Sequence, residues 1–96
     1  MTTQSNAIEY WRKKVDEVDE EFLRLIARRI EYSFEIAKIK KENKIQLKSL
    51  EREKEIIDRM KFLNVSKMKP ESIERIFVAL IEESRATVRM LVRAIE

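Results

Sequence analysis

Arg29 and Lys40 stand where the surrounding apolar spacing calls for hydrophobes. Counting four on from Leu25 reaches Arg29, and four on from Ile36 reaches Lys40. The two are eleven residues apart, within ~20° of each other around an ideal helix and ~16 Å apart along it. Long cationic side chains at that spacing can reach one anionic small molecule between them. They can equally snorkel to water at the edge of a coiled coil, with Ile30 and Ile39 filling the stripe. Ser84 is a third polar intruder, set on an apolar helix face between Leu80 or Ile81 and Val88 or Leu91. A buried hydroxyl needs a partner. It can be the main-chain carbonyl one turn back or a ligand carboxylate. Arg52-Glu53 opens a short helix and reads by itself as an ordinary charged first turn. The basic run Lys38, Lys40, Lys41, Lys44 and Lys48 lacks the interleaved aromatics of a nucleic-acid surface and reads as a solvated face.

Composition narrows the chemistry further. The 96 residues contain no Gly, Cys or His and one Pro. Gly-dependent phosphate loops are excluded, and so are thiol nucleophiles, Ser-His pairs and zinc sites built from Cys and His. No metal and no cofactor are expected. Any chemistry must use Arg, Lys, Asp, Glu, Ser, Thr, Tyr or main chain. Charge is mixed, 21 Lys+Arg against 18 Asp+Glu, net +3, which is no clear nucleic-acid footprint. No apolar run approaches the ~20 residues that span a membrane, and no signal peptide is visible. A cytoplasmic protein without membrane or nucleic-acid partners is expected.

These residues must be positioned by helices, and the fold class is all-α. Apolar residues at Ile8, Trp11, Val15, Val18, Phe22 and Leu25 follow alternating spacings of three and four, a heptad seam. The seam continues through Tyr32, Ile36 and Ile39. It predicts one long helix from about Ile8 to Lys41, capped by Asn6 with Glu9 as the capping-box acid. About 36 residues rise ~54 Å, twice the ~26 Å expected of a domain this size, so a homodimer is expected. A short helix fits Ser49 to Leu63, with Ser49 as N-cap. A second long helix starts near Pro70 and reaches almost to the end of the chain. The chain reads as one domain, 1–96, with residues 1–6 as a disordered tail. Asn43 and Asn64 stand where left-handed helix ends would otherwise use Gly.

Together these positions resemble the all-helical class of chorismate mutase, the AroQ type, over about residues 7–93. The resemblance rests on four stretches in order. They are Trp11-Arg12-Lys13-Lys14-Val15-Asp16-Glu17-Val18-Asp19; Leu25-Ile26-Ala27-Arg28-Arg29 with Ala37-Lys38-Ile39-Lys40; Arg52-Glu53; and Ile76-Phe77 with Ile81-Glu82-Glu83-Ser84. It implies an intertwined all-helical homodimer. It also implies the pericyclic rearrangement of chorismate to prephenate, a step toward phenylalanine and tyrosine that needs no nucleophile, proton transfer or cofactor. Carried over by position, Arg12 and Arg29 bind the substrate carboxylates, and Lys40 faces the ether oxygen and a carboxylate. Glu53 takes the ring hydroxyl, Arg52 orders the pocket beside it, and Ser84 assists at a carboxylate. Arg12 and Arg29 are ~25 Å apart along one helix, so Arg12 is expected from the partner subunit.

Two positions depart from the family pattern. Val88 stands where a Gln or Glu usually meets the ether oxygen, and Ser49 where Asp is common. Losing a donor aimed at developing charge typically costs about 10²–10³ in rate. Lys40 then works alone, or Arg85, Arg89 or Gln46 reaches in, or the mutase is weak. Other readings on the same scaffold are an isochorismate pyruvate-lyase and a helical interaction module with a lapsed site. A larger assembly with another enzyme of the pathway is also compatible with the sequence.

Overall fold

The computed structural model describes residues 3–96. It contains three helices, α1 (Thr3–Glu42), α2 (Leu50–Leu63) and α3 (Pro70–Ala94). The long-short-long order matches the apolar periodicity. Among the described residues no helix is long and apolar enough to cross a membrane. The chain divides into two compact units, 1–31 and 32–96, and the division falls within α1.

The first unit is one helical segment. Its seam residues are open to solvent, with Ile8, Trp11, Val15, Val18, Phe22 and Leu25 all more than half exposed. Short-range contacts decorate it. Arg12 Nη1 donates to Glu9 Oε1 at 2.7 Å, and the Tyr10 and Trp11 rings meet edge to face with centroids 4.9 Å apart. The helix starts at Thr3, which corrects two expectations. Residues 3–6 are helical and not a tail; the rest of that expected tail, residues 1–2, lies outside the described residues. Asn6 is inside the helix and not its N-cap. The reciprocal capping box does not form, and the Glu9 carboxylate binds Arg12.

The second unit packs α2 against α3, with the last turns of α1 at one end. One face of α3 carries its core: Ile73, Ile81, Ser84 and Val88 are buried, and Ala37 of α1 is buried as well. These α3 positions recur at helical spacing, so the sequence seam is the buried stripe. Ser49 caps α2 as expected, its Oγ accepting from the Arg52 N–H at 3.2 Å. Glu51 and Glu53 lie in the first turn of α2, where carboxylates complement the helix dipole. Pro70 starts α3 without removing a needed donor. Two ion pairs tie α2 to α3, Lys61 with Glu74 and Arg85 with Glu53. The hydrogen bond from Lys61 to Glu74 also raises the Lys61 pKa above its ordinary value.

The corners differ from expectation. Asn43 and Asn64 do not take the left-handed conformation; Lys44 (φ 57°) and Lys67 (φ 69°) do. After α1 the Ile45 N–H reaches the Lys40 carbonyl at 2.8 Å and the Lys44 N–H reaches Lys41 at 3.2 Å. This paired closure puts the left-handed residue one place beyond the C-cap, hence at Lys44. Asn43 serves by side chain instead, donating from Nδ2 to the Ile39 carbonyl at 2.8 Å. Asn64 organises the second corner in the same manner. Its Oδ1 accepts from the Ser66 N–H at 2.9 Å, and its Nδ2 donates to the Met68 carbonyl at 2.8 Å.

A Cβ in the left-handed region costs about 1–2 kcal/mol, and Gly offsets part of that gain through a freer unfolded chain. Lys44→Gly is therefore expected to stabilise the protein by about 0.5–1 kcal/mol, read as a higher denaturant midpoint at unchanged slope. A lower midpoint would show that the Lys44 side chain contributes more than its backbone costs.

Candidate active site

Lys40 comes from the last turns of α1, within the second unit. Its ammonium is half-buried and donates to the Leu47 carbonyl at 3.1 Å. That bond draws the 43–49 connector against the helix. Lys40 also lines a cleft of about 310 Å³ with Ala37, Ile45, Leu47 and Val92 as apolar walls and Lys41, Arg89, Arg93 and Glu96 as its charged rim. Lys41 is paired with Glu96 at 3.0 Å. Arg89 thus shares a cleft with Lys40, whereas Gln46 does not line it and is exposed.

Glu53 and Arg85 form a second cluster, between α2 and α3. Arg85 Nη1 donates to Glu53 Oε2 at 2.7 Å, and both side chains are less than a quarter exposed. Arg85 is therefore engaged with Glu53 in the free protein. Nothing local in the sequence announced this pair, since 32 residues separate its members. The backbone of Glu53 is held as well, its N–H donating to the Ser49 carbonyl at 3.0 Å. Arg52, one residue earlier, points elsewhere on the helix surface and donates to Glu55 at 3.4 Å. The structure does not bring it to Glu53.

Ser84 and Val88 lie one turn apart on the buried face of α3. Val88 is 1% exposed and Ser84 3%. The Ser84 hydroxyl has no hydrogen-bond partner among the described residues. Of the two partners open to it, the carbonyl one turn back is not used, unlike Thr87, which donates to the Glu83 carbonyl at 3.0 Å. A buried hydroxyl left unbonded costs about 1–3 kcal/mol, so a ligand that supplies an acceptor gains that much locally. Arg12 and Arg29 belong to the first unit; Arg12 is exposed and Arg29 half-buried.

Residues 11–89 match the family model for chorismate mutase type II. The chain belongs to that family. A chorismate mutase of Methanocaldococcus jannaschii is 41% identical over 76 residues, covering 78% of this chain and 77% of its own length. A bifunctional chorismate mutase/prephenate dehydratase of Buchnera aphidicola is 32% identical over 90 residues, covering 93% of this chain. This chain spans only 23% of that relative's length. Among solved structures, chorismate mutase of Thermus thermophilus superposes with a TM-score of 0.83 in one form and 0.79 in another, at 26% and 28% identity. The first match covers 86% of this chain and 94% of the Thermus chain, the second 81% and 98%. The family match encloses Arg12, Arg29, Lys40, Arg52, Glu53, Ser84 and Val88.

The orphaned hydroxyl separates stability from binding in this mutase-family chain. Ser84→Ala removes an unbonded buried oxygen and is expected to raise the stability of the ligand-free protein by about 1 kcal/mol. The same change should weaken binding of a bicyclic diacid that mimics a compact chorismate. A lower melting temperature without ligand would mean that the hydroxyl is bonded in the free protein.

Proposed function

We propose that this chain is an isomerase that rearranges chorismate to prephenate, acting as a homodimer. The observation that carries the reading is that one family match, over residues 11–89, contains all six polar positions the reaction needs. The step is intramolecular. One carbon–oxygen bond breaks as one carbon–carbon bond forms, with no proton or electron supplied from outside. The protein's tasks are to hold the side chain over the ring and to stabilise charge developing on the ether oxygen.

Arg29 and Arg12 take the two carboxylates, for which a planar guanidinium offers paired donors. Lys40 faces the ether oxygen, Glu53 accepts the ring hydroxyl, and Ser84 gives its unbonded hydroxyl to a carboxylate; Arg52, which bonds Glu55 in the free chain, would have to turn from it to stand near the ring. Val88 contributes an apolar wall where relatives place a donor, which leaves Lys40 as the principal electrostatic group. Loss of chorismate absorbance with appearance of prephenate tests the reading, and absence of turnover above background at high protein concentration would defeat it. Val88→Gln is expected to raise kcat/KM while lowering stability by about 1–3 kcal/mol, because an amide enters a closed core. An unchanged or lower kcat/KM would show that the ether oxygen is served from another direction.

A second copy of the chain is the occupant proposed for the open α1 seam. The seam from Ile8 to Leu25 is exposed throughout, and its heptad spacing suits an antiparallel helix of the same sequence. The ~25 Å between Arg12 and Arg29 along one helix keeps both from one small substrate unless Arg12 comes from the partner. In a cytoplasmic setting the dimer would hand prephenate to an enzyme that consumes it. The Buchnera relative, named as bifunctional, supports such an assembly. Mixing Arg12→Ala with Arg29→Ala subunits provides the test. Two-fold symmetry leaves one intact site in each hybrid dimer, so an equimolar, fully exchanged mixture should recover about a quarter of wild-type activity. No recovery despite exchange would place Arg12 and Arg29 in the same subunit's site.

A further inference from the structure

The Arg85–Glu53 bond is distinctive among the ion pairs of the described residues. It joins two helices, and both side chains are shielded, 17% and 22% exposed. The other pairs are more open, including Lys61–Glu74 at 33% and 49%. Arg85 directly follows Ser84 and lies three residues before Val88, so it sits beside the buried stripe of α3. Glu53 uses Oε2 for this bond, and Oε1 takes no part in it.

We propose that Arg85 is a positioning residue for the mutase reaction, holding Glu53 so that its second oxygen receives the substrate hydroxyl. This rests on the reading of Glu53 given under Proposed function. Glu is a long side chain with three rotatable bonds, and in the first turn of α2 it would otherwise sample several rotamers. The Glu53 N–H bond to the Ser49 carbonyl fixes its backbone end. The guanidinium fixes its carboxylate end, through a charge-assisted bond that is short and directional. Ordering completed before the substrate arrives does not weaken binding. The pair also solves an electrostatic conflict. The substrate is a dianion, and a bare carboxylate beside it would repel it. Arg85 cancels that charge locally while leaving an oxygen able to accept a hydrogen bond. Arg85 thereby acts through Glu53, not at the ether oxygen that Val88 leaves without a donor.

The test is a double-mutant cycle in the full chain, with kcat and KM for chorismate and a melting curve for every variant. Arg85→Met is expected to lower kcat/KM by about tenfold or more, chiefly through KM, because binding then includes ordering and repulsion. Arg85→Lys should recover part of the loss, since it restores the charge without the fork. In a Glu53→Gln background, Arg85→Met should change kcat/KM by no more than about threefold, the mark of residues acting as one unit. If Arg85→Met does not fold, the cycle is run with Arg85→Lys, whose smaller loss must likewise vanish in the Glu53→Gln background. An equal loss in both backgrounds, or no loss in the first, with an active wild type, overturns the assignment of Arg85 alone. An inactive wild type overturns the mutase reading and this inference with it.

Discussion

A helix of 40 residues rises about 60 Å and carries an apolar stripe along its length. In the 3–31 stretch that stripe is exposed at every heptad position. Burying a large apolar side chain contributes about 1.5–3 kcal/mol, so six open seam residues represent a large unused driving force. Leaving it uncovered would favour aggregation over solution. In the proposed dimer, a second copy in antiparallel register would cover the seam by using the same residues twice. The same register would place one chain's Arg12 beside the other chain's Lys40 end. On that proposal, oligomerisation and catalysis would share one physical need, the covering of α1.

The chemistry fits a chain so poor in reactive side chains. A pericyclic step asks for no nucleophile and no general base. It asks for fixed cations, a fixed acceptor and a closed wall, and helices supply these with little backbone freedom. The second unit shows how the fixing is done. Lys40 is steadied by a carbonyl in the following connector, Glu53 by a guanidinium from the neighbouring helix, and Ser84 by burial in the stripe that packs α3. Each polar group is held by something other than the substrate. The Ser84 hydroxyl is buried without a hydrogen-bond partner among the described residues, a local cost that the proposed ligand carboxylate would relieve.

Much of this was legible from the residues. Periodicity located all three helices because each has one buried or seam face with a regular 3.6-residue return. Ser49 and Pro70 marked helix starts because N-terminal N–H groups select residues by local chemistry. Local rules failed where competing local partners existed. Asn6 lost its cap role because α1 begins earlier and Glu9 found Arg12. Asn43 and Asn64 lost the left-handed positions to Lys44 and Lys67, because each amide satisfies carbonyls or N–H groups from an ordinary conformation. Arg52 was expected beside Glu53 and instead reaches Glu55, three residues on along its own helix.

The sequence by itself determined the helical class, the open seam, the types of side chain available for chemistry and the family to which they belong. These follow from periodicity and from which functional groups exist at all. Only the tertiary structure decided that Arg85 holds Glu53, that Arg89 shares a cleft with Lys40, and that Ser84 is buried without a partner among the described residues. Those outcomes depend on helices brought together from distant parts of the chain, 32 residues apart in the case of Glu53 and Arg85. At that separation no spacing rule applies, and the packing of α2 against α3 sets which side chains meet.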